Sequence, residues 1–160
     1  MKNFVVMIAI LACILTANVF AEEGSWKSFN DGMTEAKRSN KKVLVDVYTD
    51  WCGWCKKMDA QTYKDDTVAK YLADRYVLVK LNAESEKKLS YQGKEYTESQ
   101  LAGAFGITGY PSTLFLKADG EAITIYPGFA DAENFRLILG YIAEDHYLTK
   151  KFSEYTASLK

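Results

Sequence analysis

Cys52 and Cys55, in the run Trp51-Cys52-Gly53-Trp54-Cys55-Lys56, are the residues whose type and spacing point most directly to chemistry. They follow a strand-like apolar run, Val43 to Tyr48. If a helix starts after the first cysteine, Cys52 lies at its N-terminus and Cys55 one turn in, close enough to pair. Unpaired N–H groups and the helix dipole there stabilise negative charge, which favours the thiolate of Cys52. A thiolate that attacks disulfides, with a second thiol placed to resolve the mixed disulfide, is the minimum equipment for thiol–disulfide exchange.

The cysteine count sharpens this reading. The third cysteine, Cys13, lies in an N-terminal leader, so Cys52 and Cys55 are the pair left for the domain. A disulfide scaffold needs several separated pairs, and one closely spaced pair closes a loop too small to restrain much of the unfolded chain. Tetrahedral zinc wants four ligands, and the single histidine, His146, is far along the chain, so no metal is expected. His146 itself reads as a surface or capping residue.

The leader has one charge, Lys2, then an apolar run from Phe4 to Ile14, and ends at Ala21 with Val19 two residues before it. This is a secretory pattern: residues 1–21 are expected to be a signal peptide, and 22–160 the mature domain. The protein is then secreted or periplasmic, with a mature form that does not span a membrane. A retained anchor is one alternative, and a lipoprotein modified at Cys13 after Leu11-Ala12 is another. The formal net charge of −1 and the lack of a basic block argue against nucleic acid as the partner.

The elements that must position the cysteines follow from periodicity. Trp26, Phe29, Met33 and Ala36 recur at helical spacing. Val43 to Tyr48 reads as a strand covered on both faces, and Tyr76 to Leu81 as the next strand. Lys56 to Gln61 continues the helix begun at the cysteines. Asp66 reads as the cap of a further helix bearing Val68, Tyr71 and Leu72. Glu84 to Lys88 reads as a solvated loop, Tyr91 to Tyr96 as a turn or small hairpin, and Thr97 to Phe105 as a helix. Ser112–Leu116 and Ala122–Tyr126 are expected to form an antiparallel hairpin through Ala118-Asp119-Gly120. Asp131 caps a helix with Phe135, Ile138, Leu139 and Ile142 on one stripe, and Leu148, Phe152, Tyr155 and Leu159 form an amphipathic stripe at the tail. The sum is a single α/β domain, a central mixed sheet flanked by helices with an extra C-terminal helix.

From about Phe29 to Ala143 the chain resembles the thioredoxin-fold family, and within it the secreted thioredoxin-like proteins with a Trp-Cys-Gly-Trp-Cys-Lys motif. The resemblance rests on that motif, on Val43-Leu44-Val45-Asp46 with its acid six residues before Cys52, and on Val79-Lys80-Leu81-Asn82. Gly109-Tyr110-Pro111-Ser112 and Gly128 complete it. It implies that Cys52 is the attacking thiol and Cys55 the buried resolving thiol, with Asp46 acting through water as base for Cys55 and Lys80 as its companion. It implies a cis bond before Pro111, whose turn faces the disulfide and hydrogen-bonds an extended substrate. Gly53 and Trp54 stand where thioredoxins usually carry Gly-Pro, which restores a backbone N–H near the thiolate and adds aromatic surface. Trp51, Trp54 and Tyr110 would rim the site, although core packing is an equal alternative for Trp54 and Tyr110.

The function implied is a monomeric extracytoplasmic oxidoreductase that reduces protein disulfides without an external cofactor, its redox group being the Cys52–Cys55 pair. A membrane thiol-shuttle protein would supply its electrons. The same residues would serve a disulfide oxidase or isomerase, and a non-catalytic partner-binding module is the reading from another class.

Overall fold

The computed structural model describes residues 25–159. The expected leader, its cleavage after Ala21 and the alternatives built on it lie outside the described residues. Four strands form the central sheet in the order β2-β1-β5-β6: β1 (Lys42–Tyr48), β2 (Tyr76–Asn82), β5 (Ser112–Leu116) and β6 (Ala122–Pro127). β1 runs parallel to β2 and antiparallel to β5, and β5 runs antiparallel to β6, so the sheet is mixed. β1 lies at its centre with five consecutive buried residues, Val43 to Val47, which is why its sequence is nearly continuous in apolar residues.

Helices cover both faces. α1 (Phe29–Ser39) and α4 (Glu98–Ala104) close a core of Phe29, Val45, Val79, Leu101 and Leu114. α3 (Asp66–Arg75) and α5 (Ala132–Ala143) close the other, built on Leu44, Leu72, Leu78, Phe115 and Phe135. α1 can lie close to β2 because of Gly32: a Cβ there would collide with Val79 Cγ2. Among the described residues, no helix is long and apolar enough to cross a membrane.

Several boundaries differ from the sequence expectation. Trp26 falls outside α1, in a segment that bridges the free edge of β2: Lys27 N–H donates to Leu78 O (2.9 Å), and Lys80 N–H donates to Lys27 O (3.1 Å). The cap of α3 is Asp65, whose carboxylate accepts from the N–H groups of Thr67 and Val68, so Asp66 is its first helical residue. Two adjacent acids at a helix start leave the choice to local backbone geometry. The 91–96 stretch lies in a hairpin of β3 (Lys88–Tyr91) and β4 (Lys94–Thr97), turned by Gln92 and Gly93 at positive φ. The tail stripe is not one inward helical face. Leu148 sits in a short 3-10 turn with His146, α6 (Phe152–Ala157) has six residues, and of the four apolar residues Tyr155 alone is buried.

Candidate functional site

β1 ends at Tyr48, and the chain turns so that Cys52 N–H donates to Thr49 O (3.2 Å). Cys52 is then the N-cap of α2 (Gly53–Lys57), an extended residue before the first helical turn. Its sulfur accepts from the N–H of Cys55 (3.0 Å), one of the donors a helix start leaves free. Cys52 and Cys55 form a disulfide, with Cα atoms 5.3 Å apart, and both are buried. Reduction would leave the Cys52 sulfur facing the same N–H groups, the placement that favours a thiolate.

The helix does not continue as a regular α-helix. Met58–Thr62 forms a π-helical turn, closed by Tyr63 N–H to Met58 O (3.0 Å). A wider turn of this kind re-aims the side chains that follow it. Asp59 and Tyr63, one inside it and one at its end, both reach a buried acid–base cluster. Asp46, in the middle of β1, is 1% exposed. It sits in register with Lys80 on β2 and with Thr113 on β5. Lys80 Nζ contacts both Asp46 Oδ2 and Asp59 Oδ1, and Tyr63 Oη donates to Asp46 Oδ1 (3.2 Å). Three rings surround the Lys80 ammonium: Trp26 at 4.7 Å, Tyr48 at 5.2 Å and Tyr63 at 5.5 Å.

Burial pushes the Asp46 carboxyl above the usual carboxylate range, although Lys80 pulls it down through its charge and hydrogen bond. Burial alone would lower Lys80, but the carboxylates of Asp46 and Asp59 outweigh it and hold the ammonium above its ordinary value. The two directions are compatible because Asp46 is sealed while the Lys80 side chain keeps 23% of its exposure. Tyr63 is pushed well above the ordinary phenol value, by its burial first and by Asp46 second.

The Tyr110–Pro111 peptide bond is cis, and Pro111 O accepts from Gly128 N–H (2.8 Å), which ties the turn to the end of β6. Gly128 holds φ at +88°, a left-handed conformation suited to glycine. Around the disulfide, Trp51 is 67% and Trp54 57% exposed, and Gly53 is also exposed, while Pro111 is buried and Tyr110 half-buried. Trp51 lies edge-on to Tyr110 (6.1 Å between ring centroids). Trp54 tilts against Phe129 (5.4 Å), with Lys57 Nζ over both rings. Beyond Tyr110 runs an open groove of about 350 Å³ lined by Ile107, Ser112, Ile125 and Pro127.

The structure therefore brings Asp46 and Lys80 together beside the helix that carries the cysteines, and places Trp51 and Trp54 at the surface rather than in the core. His146 stays apart, stacked on Tyr155 with Glu144 3.2 Å away. Several participants escaped the sequence reading. Asp59 lies four residues beyond Cys55, a helical spacing that could have flagged it. Tyr63, Phe129 and the cap from Trp26 depend on chain folding that no local pattern announces.

A family model described as a thioredoxin-like domain matches residues 29–143. The thiol:disulfide interchange protein DsbD of Escherichia coli (strain K12) is 32% identical over 111 residues, covering 66% of this chain and 17% of that protein. DsbD of Yersinia pestis is 31% identical over 102 residues, covering 62% of this chain and 16% of that protein. The chain thus spans about a sixth of the length of these curated relatives. Among solved structures, a thioredoxin-fold protein from Helicobacter pylori superposes with a TM-score of 0.61 at 18% identity, covering 76% of this chain and 81% of that one. The oxidised C-terminal domain of Neisseria meningitidis DsbD superposes with a TM-score of 0.51 at 25% identity, covering 66% and 84%.

Proposed function

The chain belongs to the thioredoxin-like family of disulfide oxidoreductases, and on that footing we propose that it reduces protein disulfides outside the cytoplasm through a Cys52/Cys55 dithiol–disulfide cycle. The observation that carries the reading is the Cys52–Cys55 disulfide capping a helix beside the buried Asp46–Lys80 pair. Two thiols at a helix start could serve several purposes. A sealed carboxyl whose burial raises its proton affinity, next to the same helix, adds a group able to take a proton.

The cycle runs in two displacements. The Cys52 thiolate attacks one sulfur of a substrate disulfide, forming a mixed disulfide and releasing the other substrate sulfur as a thiolate. Asp46 accepts the Cys55 proton through water, with Lys80 stabilising the carboxylate as acceptor. The Cys55 thiolate then attacks Cys52 Sγ, and the second substrate sulfur leaves. Two electrons pass to the substrate, and the Cys52–Cys55 disulfide remains. A donor thiol, assigned here to a membrane thiol-shuttle protein, returns the electrons. The cis-Pro111 turn and the rim of Trp51, Gly53, Trp54 and Tyr110 form the substrate surface. The extracytoplasmic placement rests on the secretory pattern of residues 1–21, and the protein-disulfide partner on the likeness to DsbD.

Trapping tests this directly. Cys55→Ala should accumulate mixed disulfides through Cys52 on expression, while Cys52→Ser accumulates none. The native chain should reduce insulin disulfides with dithiothreitol as donor, and its reduction potential should lie nearer thioredoxin, at about −270 mV, than a strong oxidase, at about −120 mV. Absence of any trapped species defeats the enzymatic reading. A potential at the oxidase end reverses the direction of electron flow.

A further inference from the structure

Substrate reduction needs a surface that holds a protein while sulfur exchanges, and Trp51 is the most exposed aromatic beside the disulfide. A tryptophan so open to solvent ordinarily samples several rotamers. Here its indole N–H donates to Glu84 Oε1 (2.9 Å) while the ring stands edge-on to Tyr110. Glu84 comes from the loop between β2 and β3, a stretch whose charges alone suggest a solvated face.

That loop is held from several sides. Glu84 N–H donates to Asn82 Oδ1 (3.0 Å), Ser85 N–H to Asn82 O (3.0 Å), and Ala83 N–H to Tyr48 O (2.8 Å). Asn82 N–H in turn donates to the carboxylate of Glu98 (3.3 Å), which is buried in the first turn of α4, and Ser99 N–H closes the loop onto Ser85 O (3.1 Å). The acceptor for Trp51 thus stands at the end of a hydrogen-bonded chain rooted in α4, whose Leu101 and Ala102 pack in a different core from Met58 after the cysteines' own helix.

We propose that Glu84 is a positioning residue that sets affinity for protein substrates by holding Trp51 as a fixed wall of the docking surface. The inference rests on the disulfide-reductase reading above. An aromatic ordered before the substrate arrives spares the complex the entropy of ordering it, so the gain appears in substrate binding and not in sulfur chemistry. Small disulfides that touch only the sulfurs gain nothing from it.

The test compares Glu84→Ala and Glu84→Gln in the full chain, using insulin as protein substrate and 5,5′-dithiobis(2-nitrobenzoate) as small disulfide. Ordering one such side chain converts to about a 3- to 10-fold change in affinity. Glu84→Ala should therefore raise KM for insulin by that factor with kcat unchanged, and leave the small-disulfide rate alone. Glu84→Gln keeps the acceptor without the charge and should restore the native KM. The Trp51 indole N–H, followed by 15N NMR in the oxidised protein, should exchange faster with solvent in Glu84→Ala and at the native rate in Glu84→Gln. An unchanged insulin KM in Glu84→Ala overturns the proposal. So does a Glu84→Gln variant that behaves as Glu84→Ala, because charge would then be the cause. A native chain that reduces neither substrate defeats the reductase reading instead, while the indole readout still reports whether Glu84 fixes Trp51.

Discussion

Asp46 is the residue where folding and chemistry pull in opposite directions. Its carboxylate lies in the central strand, sealed by Tyr63 and met by Lys80, and burial still wins: the folded chain binds the Asp46 proton more tightly than the unfolded chain does. Stability therefore falls as pH rises from the ordinary carboxylate range through the folded-state value of Asp46. Lys80, raised in the folded state, contributes stability that persists until pH climbs past the ordinary lysine value. Asp46→Asn should match the native chain in urea unfolding at about pH 4 and exceed it at about pH 8, with the gap opening between. Lys80 keeps Asp59 as its partner in that variant, so no buried charge is left alone. The same substitution should slow disulfide exchange by on the order of 10²-fold at neutral pH, the usual loss when a proton acceptor is removed. A variant that is less stable at about pH 8, or equally fast, contradicts this account of Asp46.

Elements set how close those residues come. α1 meets β2 at Gly32, where even a methyl group would collide with Val79, a fully buried residue of the strand that carries Lys80. Gly32→Ala improves helix propensity yet should cost about 1–3 kcal/mol in urea unfolding, because overpacking of a rigid strand outweighs it. The π-helical turn acts the same way on the other side of Lys80. It widens the helix by one residue just after the cysteines, and Asp59 and Tyr63 reach the buried pair from it. The β3–β4 hairpin places Tyr91 against Phe29 and Phe105.

At the scale of the whole molecule, the site lies at one end of the sheet, and the tail packs elsewhere. Tyr155 is buried against Gly140 of α5, where a Cβ would stand 2.6 Å from its hydroxyl, and Tyr141 Oη donates to Lys150 O. α6 is thus a brace for α5. Removing residues 151–160 should lower unfolding free energy by about 2 kcal/mol, the scale of one buried aromatic, and leave the exchange rate intact. A truncated chain of full stability but impaired exchange would instead give the tail a part in catalysis.

Local chemistry made much of this legible without coordinates. The cysteine spacing, the apolar run of β1, the Asp-Gly turn before β6 and the stripe of α5 are short-range patterns, and each was enough to place its element. The acid six residues before Cys52 and the lysine of β2 were readable as a pair through the resemblance to the thioredoxin-fold family, and the structure sets them in register on parallel strands. Only the tertiary structure decided the rest: Asp59 and Tyr63 on the same cluster, Trp26 over Lys80, Phe129 against Trp54 and Glu84 on Trp51. These contacts join residues far apart in the chain, or hang on a single π turn, and no sequence period encodes them. The thiol pair was written in six consecutive residues; the surroundings that tune and present it exist only once the chain has closed.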